Sequence, residues 1–521
     1  MKLPANFLAR PGLVTVGGAP EGVDTLALAT FVASKPGQDV LHLARDDQHM
    51  ARMADALAFF APDVEILIFP AWDCLPYDRV SPNGEVVSRR VDTLTRLAGP
   101  RPAGARIVIA TINAVLQRVP PRAAFADTSL VLQRGARLAQ DDLIAFLNAN
   151  GYGRVETVRE PGEYAIRGGL LDLFATGAGE PVRIDLFGDV IENLRGFDPL
   201  SQRSTEELDE IALRPVGEML LNAPSIERFR TGYRELFGAP SAEDGLYEAV
   251  SAGRRYVGME HWLPLFHEKL ETLADYLPDA VITLDHQAVE AADSRLEQIE
   301  EFYSARRDQM AAARPRRRAD DLHAAAIYNP LPPGRLYLTD DEWRGVLKRR
   351  PSVAFSPFDA PGDGPDAGGR KGPDFAEARA RADANLFDAV RAHIADQQKA
   401  GRHVAIAAYS AGSRDRLGGL LREHGLEGAQ PAPDWHAALA VPAPAVAMVV
   451  LGLEGGFATA EYAVLTEQDI LGDRMARTTK PRRKSDKFIT EASSLAPGDL
   501  VVHVEHGVGR YDGLVTLDVG G

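Results

Sequence analysis

The chain holds a single cysteine, Cys74, in 521 residues. One thiol can form neither a disulfide framework nor a Cys-rich zinc site, so Cys74 is expected to be a small buried side chain. No apolar run approaches the roughly 20 residues that a membrane span needs. The opening MKLPANFLARPG breaks at Pro and Gly too early for a signal peptide. These absences point to a cytoplasmic protein. Positive charge is also short: 58 Lys and Arg stand against 74 Asp and Glu, a net charge of −16. Bulk electrostatics therefore repels nucleic acid, and DNA contact would need a local patch or another part of a larger molecule. Two basic runs, Arg314 to Arg318 and Lys480 to Lys484, each contain Pro and lie between patterned segments. They read as solvated linkers. The remaining composition is that of an ordinary globular protein, 45% hydrophobic and 25% charged.

A second absence lies in the stretch VTVGGAPEGVDTLALA, residues 14–29. A β-branched run enters a glycine loop, which enters an Ala/Leu helix. Gly17 and Gly22 have the spacing of a phosphate-binding P-loop, which then requires Lys and Ser/Thr. Here Val23 and Asp24 follow. Val23 brings no charge to neutralise phosphates. A carboxylate about 4 Å from a phosphate is repelled by about 4 kcal/mol at an effective dielectric near 20. Thr25 comes one place late for the metal. The only candidate for an acidic strand end, Leu336 to Glu342, reads better as a capping box, Thr339-x-x-Glu342, opening a helix. The domain is expected to keep the topology of an ATPase without its chemistry. No nucleotide, metal or other cofactor and no catalytic residue is expected in this chain.

Residues 1–120 alternate apolar strands with helices, which argues a parallel sheet covered on both faces. Residues 121–208 change texture to alternating strands and turn dipeptides, a small, mostly antiparallel insertion. Residues 209–330 are helix-rich and are expected to complete the first domain. A second α/β domain is expected over 331–470 and a basic linker over 471–494. The stretch 495–521 is strand-like and glycine-punctuated, with strands expected at Val501 to Glu505 and Tyr511 to Leu517. His503, Glu505 and His506 have metal-like residue types, but their alternation along a strand reads as surface.

Within the insertion, Val182, Ile184 and Leu186 alternate and should face a core. Arg183, Asp185 and Phe187 then face outward. Gly188-Asp189 suits a two-residue hairpin turn, a register that pairs Phe187 with Val190 and Arg183 with Leu194. Arg167, before Gly168-Gly169, can join the same face. Arg and aromatics are enriched at protein interfaces. Alternatively, a neighbouring element covers Phe187 and the arginines pair with Glu180, Asp185 or Glu192.

The stretch REPGEYAIRGGLLDLFATGAGEPVRIDLFGDVIENLRGFDPLSQRS, residues 159–204, resembles the UvrA-binding module shared by UvrB and the bacterial transcription-repair-coupling factors. Further segments resemble the coupling factors in particular: FPAWDCLPYDRVSP (69–82), IVIATINAVLQRVPP (107–121), VGMEHWLPLFHEKLETLADYLP (257–278), AEYAVL (460–465) and VVHVEHGVGRYDGL (501–514). Together they cover essentially the whole chain, as the N-terminal half of such a factor. The resemblance implies a degenerate RecA/P-loop-like domain carrying the insertion, a second α/β domain, and the truncated start of a CarD-like β-barrel that interacts with RNA polymerase. It implies an adaptor that recruits UvrA to stalled RNA polymerase in transcription-coupled nucleotide excision repair. By the family match Arg167, Arg183 and Phe187 dock UvrA, and Leu517 lies on the edge that meets the polymerase β subunit. Polymerase binding is expected to be weak or lost, because the strands needed to close a barrel are missing. The full-length family is an ATP-dependent DNA translocase whose motor, and contact with DNA, lie downstream. The alternative is a UvrB-like helicase or nicking-complex subunit. That would call for an intact P-loop and an aromatic-rich hairpin, where LPYDRVSPNGEVVSRR offers only Tyr77.

Overall fold

The computed structural model describes residues 11–126, 128–241, 244–313, 328–360, 364–381, 385–472, 500–503 and 507–510. Residues 1–470 form one unit, and residues 471–521 are described separately.

The first sheet has six strands in the order Gly12–Val16, Pro351–Phe355, Val281–Leu284, Asp39–Ala44, Arg106–Thr111 and Glu65–Phe69. Every neighbouring pair is parallel. The runs RIVIAT and VITL are buried at every position, as strands covered on both faces must be. Leu28, Phe31 and Leu57 from helices Val23–Ser34 and Asp47–Phe60 share a core with Val40, Ile107 and Ile109. On the other face Val91, Leu94 and Leu97 of helix Gly84–Ala98 pack against Leu41, Leu43 and Val108. The expected doubly covered parallel sheet is present.

Strand Pro351–Phe355, expected in the second domain, pairs with Gly12–Val16, and Trp343 and Leu347 sit in the core of that first sheet. Glu210–Leu213, just past the expected insertion, pairs antiparallel with Leu130–Gln133. The Thr339–Glu342 capping box is formed and opens helix Asp340–Arg349.

The insertion is a six-stranded sheet in the order Ser204–Leu208, Val190–Phe197, Val182–Phe187, Leu170–Leu173, Glu163–Arg167 and Gly153–Arg154. Its pairs are antiparallel except the last. Another mixed sheet follows, in the order Arg370–Lys371, Phe457–Ala458, Tyr462–Thr466, His403–Ala408, Val446–Val450 and Ala429–Pro431. Two helices, Ala376–Ala380 and Leu386–Lys399, lie in this part of the chain. In residues 471–521, Leu500–His503 pairs antiparallel with Gly507–Arg510. The second strand thus lies before Tyr511, where it was expected to begin, and includes Gly507 and Gly509. Leu517 lies outside the described residues, as do both basic runs, Glu505 and His506. Among the described residues no helix is long and apolar enough to cross a membrane.

Candidate partner-docking site

The glycine loop comes first, because its backbone decides what it can hold. A P-loop aims unpaired N–H groups at phosphate oxygens. Here those groups are used internally. Gly17, Gly18 and Ala19 donate to the carbonyls of Pro365, Phe358 and Ser356 at 2.8–2.9 Å. Val23 donates to the Pro20 carbonyl at 2.9 Å. Gly22, at φ +85°, and Thr25 donate to Asp24 Oδ1 at 2.9 and 2.5 Å, and the Thr25 hydroxyl adds a bond of 3.1 Å. The Asp24 carboxylate thus serves as the loop's own anion at the start of its helix. The loop is also covered, since a Cβ on Gly22 would stand 2.6 Å from the Phe457 ring. The cavity left beside Asp24 measures about 20 Å³, enough for one water.

Burial, followed by the nearby Asp285 carboxylate, pushes the Asp24 carboxyl up to about 7, against the pull of the Thr25 hydrogen bonds. A carboxyl whose proton affinity is raised by folding contributes full stability below its unfolded value near 3.8 and loses it as pH climbs through about 7. Asp24→Asn keeps the Oδ1 acceptor and removes the charge. It should match the wild type near pH 4 and exceed it at pH 8 by of order 2 kcal/mol, half of what about 1.4 kcal/mol per tenfold change in proton affinity would give. Thermal unfolding across pH 4–8 checks this; a variant less stable than wild type at pH 8 contradicts it.

The insertion's outer face is built by strand alternation. Val182, Ile184, Leu171 and Leu173 fill the inner core. Arg183, Asp185 and Phe187 point the other way, and Phe187 is 79% exposed. Gly188, at φ +59°, permits the two-residue turn that pairs Phe187 with Val190. Beyond the turn the expected register fails. Ile191 faces Leu186 but Asn193 faces Asp185, so Glu192 is an extra residue in a β-bulge. Arg183 consequently faces Arg195 rather than Leu194.

Asp172 was not singled out in the sequence, yet it joins two of the three candidate residues. Its carboxylate is buried on the outer face and accepts two bonds from Arg183, at 2.7 and 3.0 Å. Arg167 lies 3.6 Å from it and donates to the Glu156 carbonyl at 2.7 Å. The Arg183 guanidinium also lies 4.9 Å from the Phe197 ring centroid. Its side chain is mostly buried, while that of Arg167 is half exposed. Arg183 therefore pairs with Asp172, and not with Glu180, Asp185 or Glu192, the partners of the alternative reading. The usable signal was the charge in LLDLF, an Asp placed outward by alternation on the strand beside Arg183. Phe187 stands apart from this ion cluster, four residues along the same strand face.

Tyr77, the one aromatic of LPYDRVSPNGEVVSRR, is buried. Cys74 is half-buried rather than buried, and burial pushes its thiol up to about 12.

The family model described as the UvrB interaction domain matches residues 130–219. This range contains every strand of the insertion, including the pairing of Leu130–Gln133 with Glu210–Leu213. The model described as the CarD-like/TRCF RID domain matches residues 495–521. The transcription-repair-coupling factor of Escherichia coli is 33% identical over 513 residues, 97% of this chain and 42% of its own length. The chain matches the N-terminal part of the transcription-repair-coupling factors. The coupling factor of Haemophilus influenzae is 30% identical over 525 residues, with 97% and 42% covered. That of Bacillus subtilis is 24% identical over 541 residues, with 98% and 42% covered. The chain thus spans about two fifths of the length of the curated relatives it matches.

Proposed function

We propose that this chain is the adaptor region of a transcription-repair-coupling factor. The outer face of its insertion docks UvrA, and the segment beginning at 495 contributes to docking RNA polymerase through its β subunit. The observation that carries the first half is Phe187: a large apolar ring, 79% exposed, held on an ordered hairpin inside the region that matches the UvrB interaction domain. Isolated exposed aromatics on rigid strands are the side chains interfaces use as anchors. Arg167 belongs to the ion cluster around Asp172 on the same face, half exposed, and Arg183 positions Asp172 rather than presenting a free guanidinium. The whole protein is read as a DNA-translocating ATPase whose motor lies outside this region. The UvrB-like alternative needs nucleotide at the glycine loop, and the internal pairing of that loop's N–H groups speaks against it.

Hydrogen exchange of the chain with UvrA and with Mg-ATP tests both halves at once. UvrA should slow exchange in strands Val182–Phe187 and Val190–Phe197. Millimolar Mg-ATP should leave residues 17–25 unchanged. Protection of the glycine loop by ATP, or none of the hairpin by UvrA, would falsify the proposal.

A further inference from the structure

A groove of about 520 Å³ lies outside the insertion, between helix Ala288–Ala313 and residues 333–340. Its floor is apolar: Ile299 and Leu338 are buried and Leu296 is half-buried. Its rim on the helix side is Glu297, Glu300 and Glu301, all exposed. Both walls are fixed. The Leu338 N–H donates to the Leu116 carbonyl at 2.8 Å, and Arg118 donates to the Gly334 carbonyl at 3.2 Å. Arg344 ties the helix to the facing segment, donating to Asp293 at 2.9 Å and to Asp340 at 2.7 Å. The groove is therefore preformed.

The carboxylates at the ends of the groove have cationic partners, and those on its rim do not. Asp293 and Asp340 share Arg344, and Glu342 accepts two bonds from Arg118, at 2.7 and 2.8 Å. Among the described residues no Lys or Arg lines the groove, and Glu297, Glu300 and Glu301 form no ion pair. The exposed Arg335, beside Gly334, pairs with none of them. Glu297 stands three residues before Glu300 and four before Glu301, and like charges at these spacings destabilise a helix. Elsewhere on the same walls an arginine relieves each carboxylate. Here the repulsion is left standing beside an open apolar floor, an arrangement complementary to a cationic group from outside.

We propose that this groove docks a segment of a partner protein in which arginine side chains flank one aliphatic residue. The aliphatic side chain covers Leu296, Ile299 and Leu338. The guanidinium groups, whose planar forks match carboxylates, meet Glu297, Glu300 and Glu301. A metal ion does not fit. Among the described residues no three His, Cys, Asp or Glu side chains converge on one point, as a bound cation requires. Nucleic acid is repelled by the same carboxylates.

Fluorescence anisotropy tests the proposal on the full chain at about 0.15 M salt, which screens exposed charges beyond about 8 Å. The probe is a fluorescein-labelled peptide of one Leu between two pairs of Arg, and a second probe replaces the Leu by Ser. The Leu peptide should bind saturably, about tenfold more tightly than the Ser peptide, because its side chain leaves water. Glu297→Gln, Glu300→Gln and Glu301→Gln together should weaken it about tenfold, or about 1.4 kcal/mol over three charges. That variant should melt no lower than wild type, since a repulsion is removed. Glu206→Gln, Glu423→Gln and Glu427→Gln together remove three exposed charges elsewhere and should leave binding unchanged. Absent saturable binding, equal binding of the Ser peptide, or equal losses in the two triple variants would each overturn the assignment. So would binding that appears only after Arg316→Ser, Arg317→Ser and Arg318→Ser, which would give the groove to the chain's own basic run.

Discussion

Glu218→Ala is expected to destabilise the fold by about 3–5 kcal/mol, the usual cost of leaving one member of a buried ion pair alone. Glu218 and Arg90 are both essentially inaccessible to solvent. Arg90 donates to the two carboxylate oxygens at 2.6 and 3.1 Å, and Trp72 Nε1 adds a third bond at 3.1 Å. Arg90 also donates to the Pro70 carbonyl at 2.9 Å and lies 4.3 Å from the Phe69 ring centroid. Removing Glu218 leaves a guanidinium in an apolar pocket with one carbonyl to bond. The pair joins the chain leaving the insertion to helix Gly84–Ala98, so the loss should appear as faster hydrogen exchange there and a lower unfolding midpoint. Replacing both partners, Arg90→Met with Glu218→Leu, should recover much of the loss, because the uncompensated charge disappears. A single-variant loss below about 1 kcal/mol would mean that water reaches the pocket.

Phe187→Ala and Arg183→Ala should separate binding from stability. Truncating a central anchor typically costs 2 kcal/mol or more, roughly thirtyfold in affinity. Phe187 is so exposed that its removal should weaken UvrA binding by that amount and leave the melting temperature unchanged. Arg183→Ala should weaken binding too, but with a loss of fold stability of order 1–3 kcal/mol. It strips Asp172, a buried carboxylate, of its bidentate partner. A melting temperature unaffected by Arg183→Ala would contradict this.

The legible parts of the chain are those in which short-range chemistry decides the outcome. Continuous apolar strands separated by helices announced the parallel sheet, Thr339 and Glu342 announced a helix start, and Gly188-Asp189 announced its turn. The order of strands was not legible. A parallel strand does not encode which neighbour it joins, so Pro351–Phe355 was assigned to the following domain although it lies beside the first strand. The bulge at Glu192 was also hidden. The segment at 135–137 pairs with Val190 and Ile191 from outside the hairpin, a tertiary contact that alternation cannot express. The site was half legible. Alternation placed Arg183 and Phe187 on one face, but buried Asp172 appeared only once the strands were paired. At the glycine loop, Asp24 was read as a charge that repels phosphate. In the structure it also takes the phosphate's place, because two N–H groups and a hydroxyl close on it.

The adaptor reading rests on UvrA binding at the hairpin end. Calorimetric titration of purified UvrA into this chain and into its Phe187→Asp variant tests that most directly. The account predicts saturable binding by the wild type and a loss of at least about thirtyfold in the variant, at equal thermal stability. Equal affinities for the two proteins, or no binding by the wild type, would contradict it.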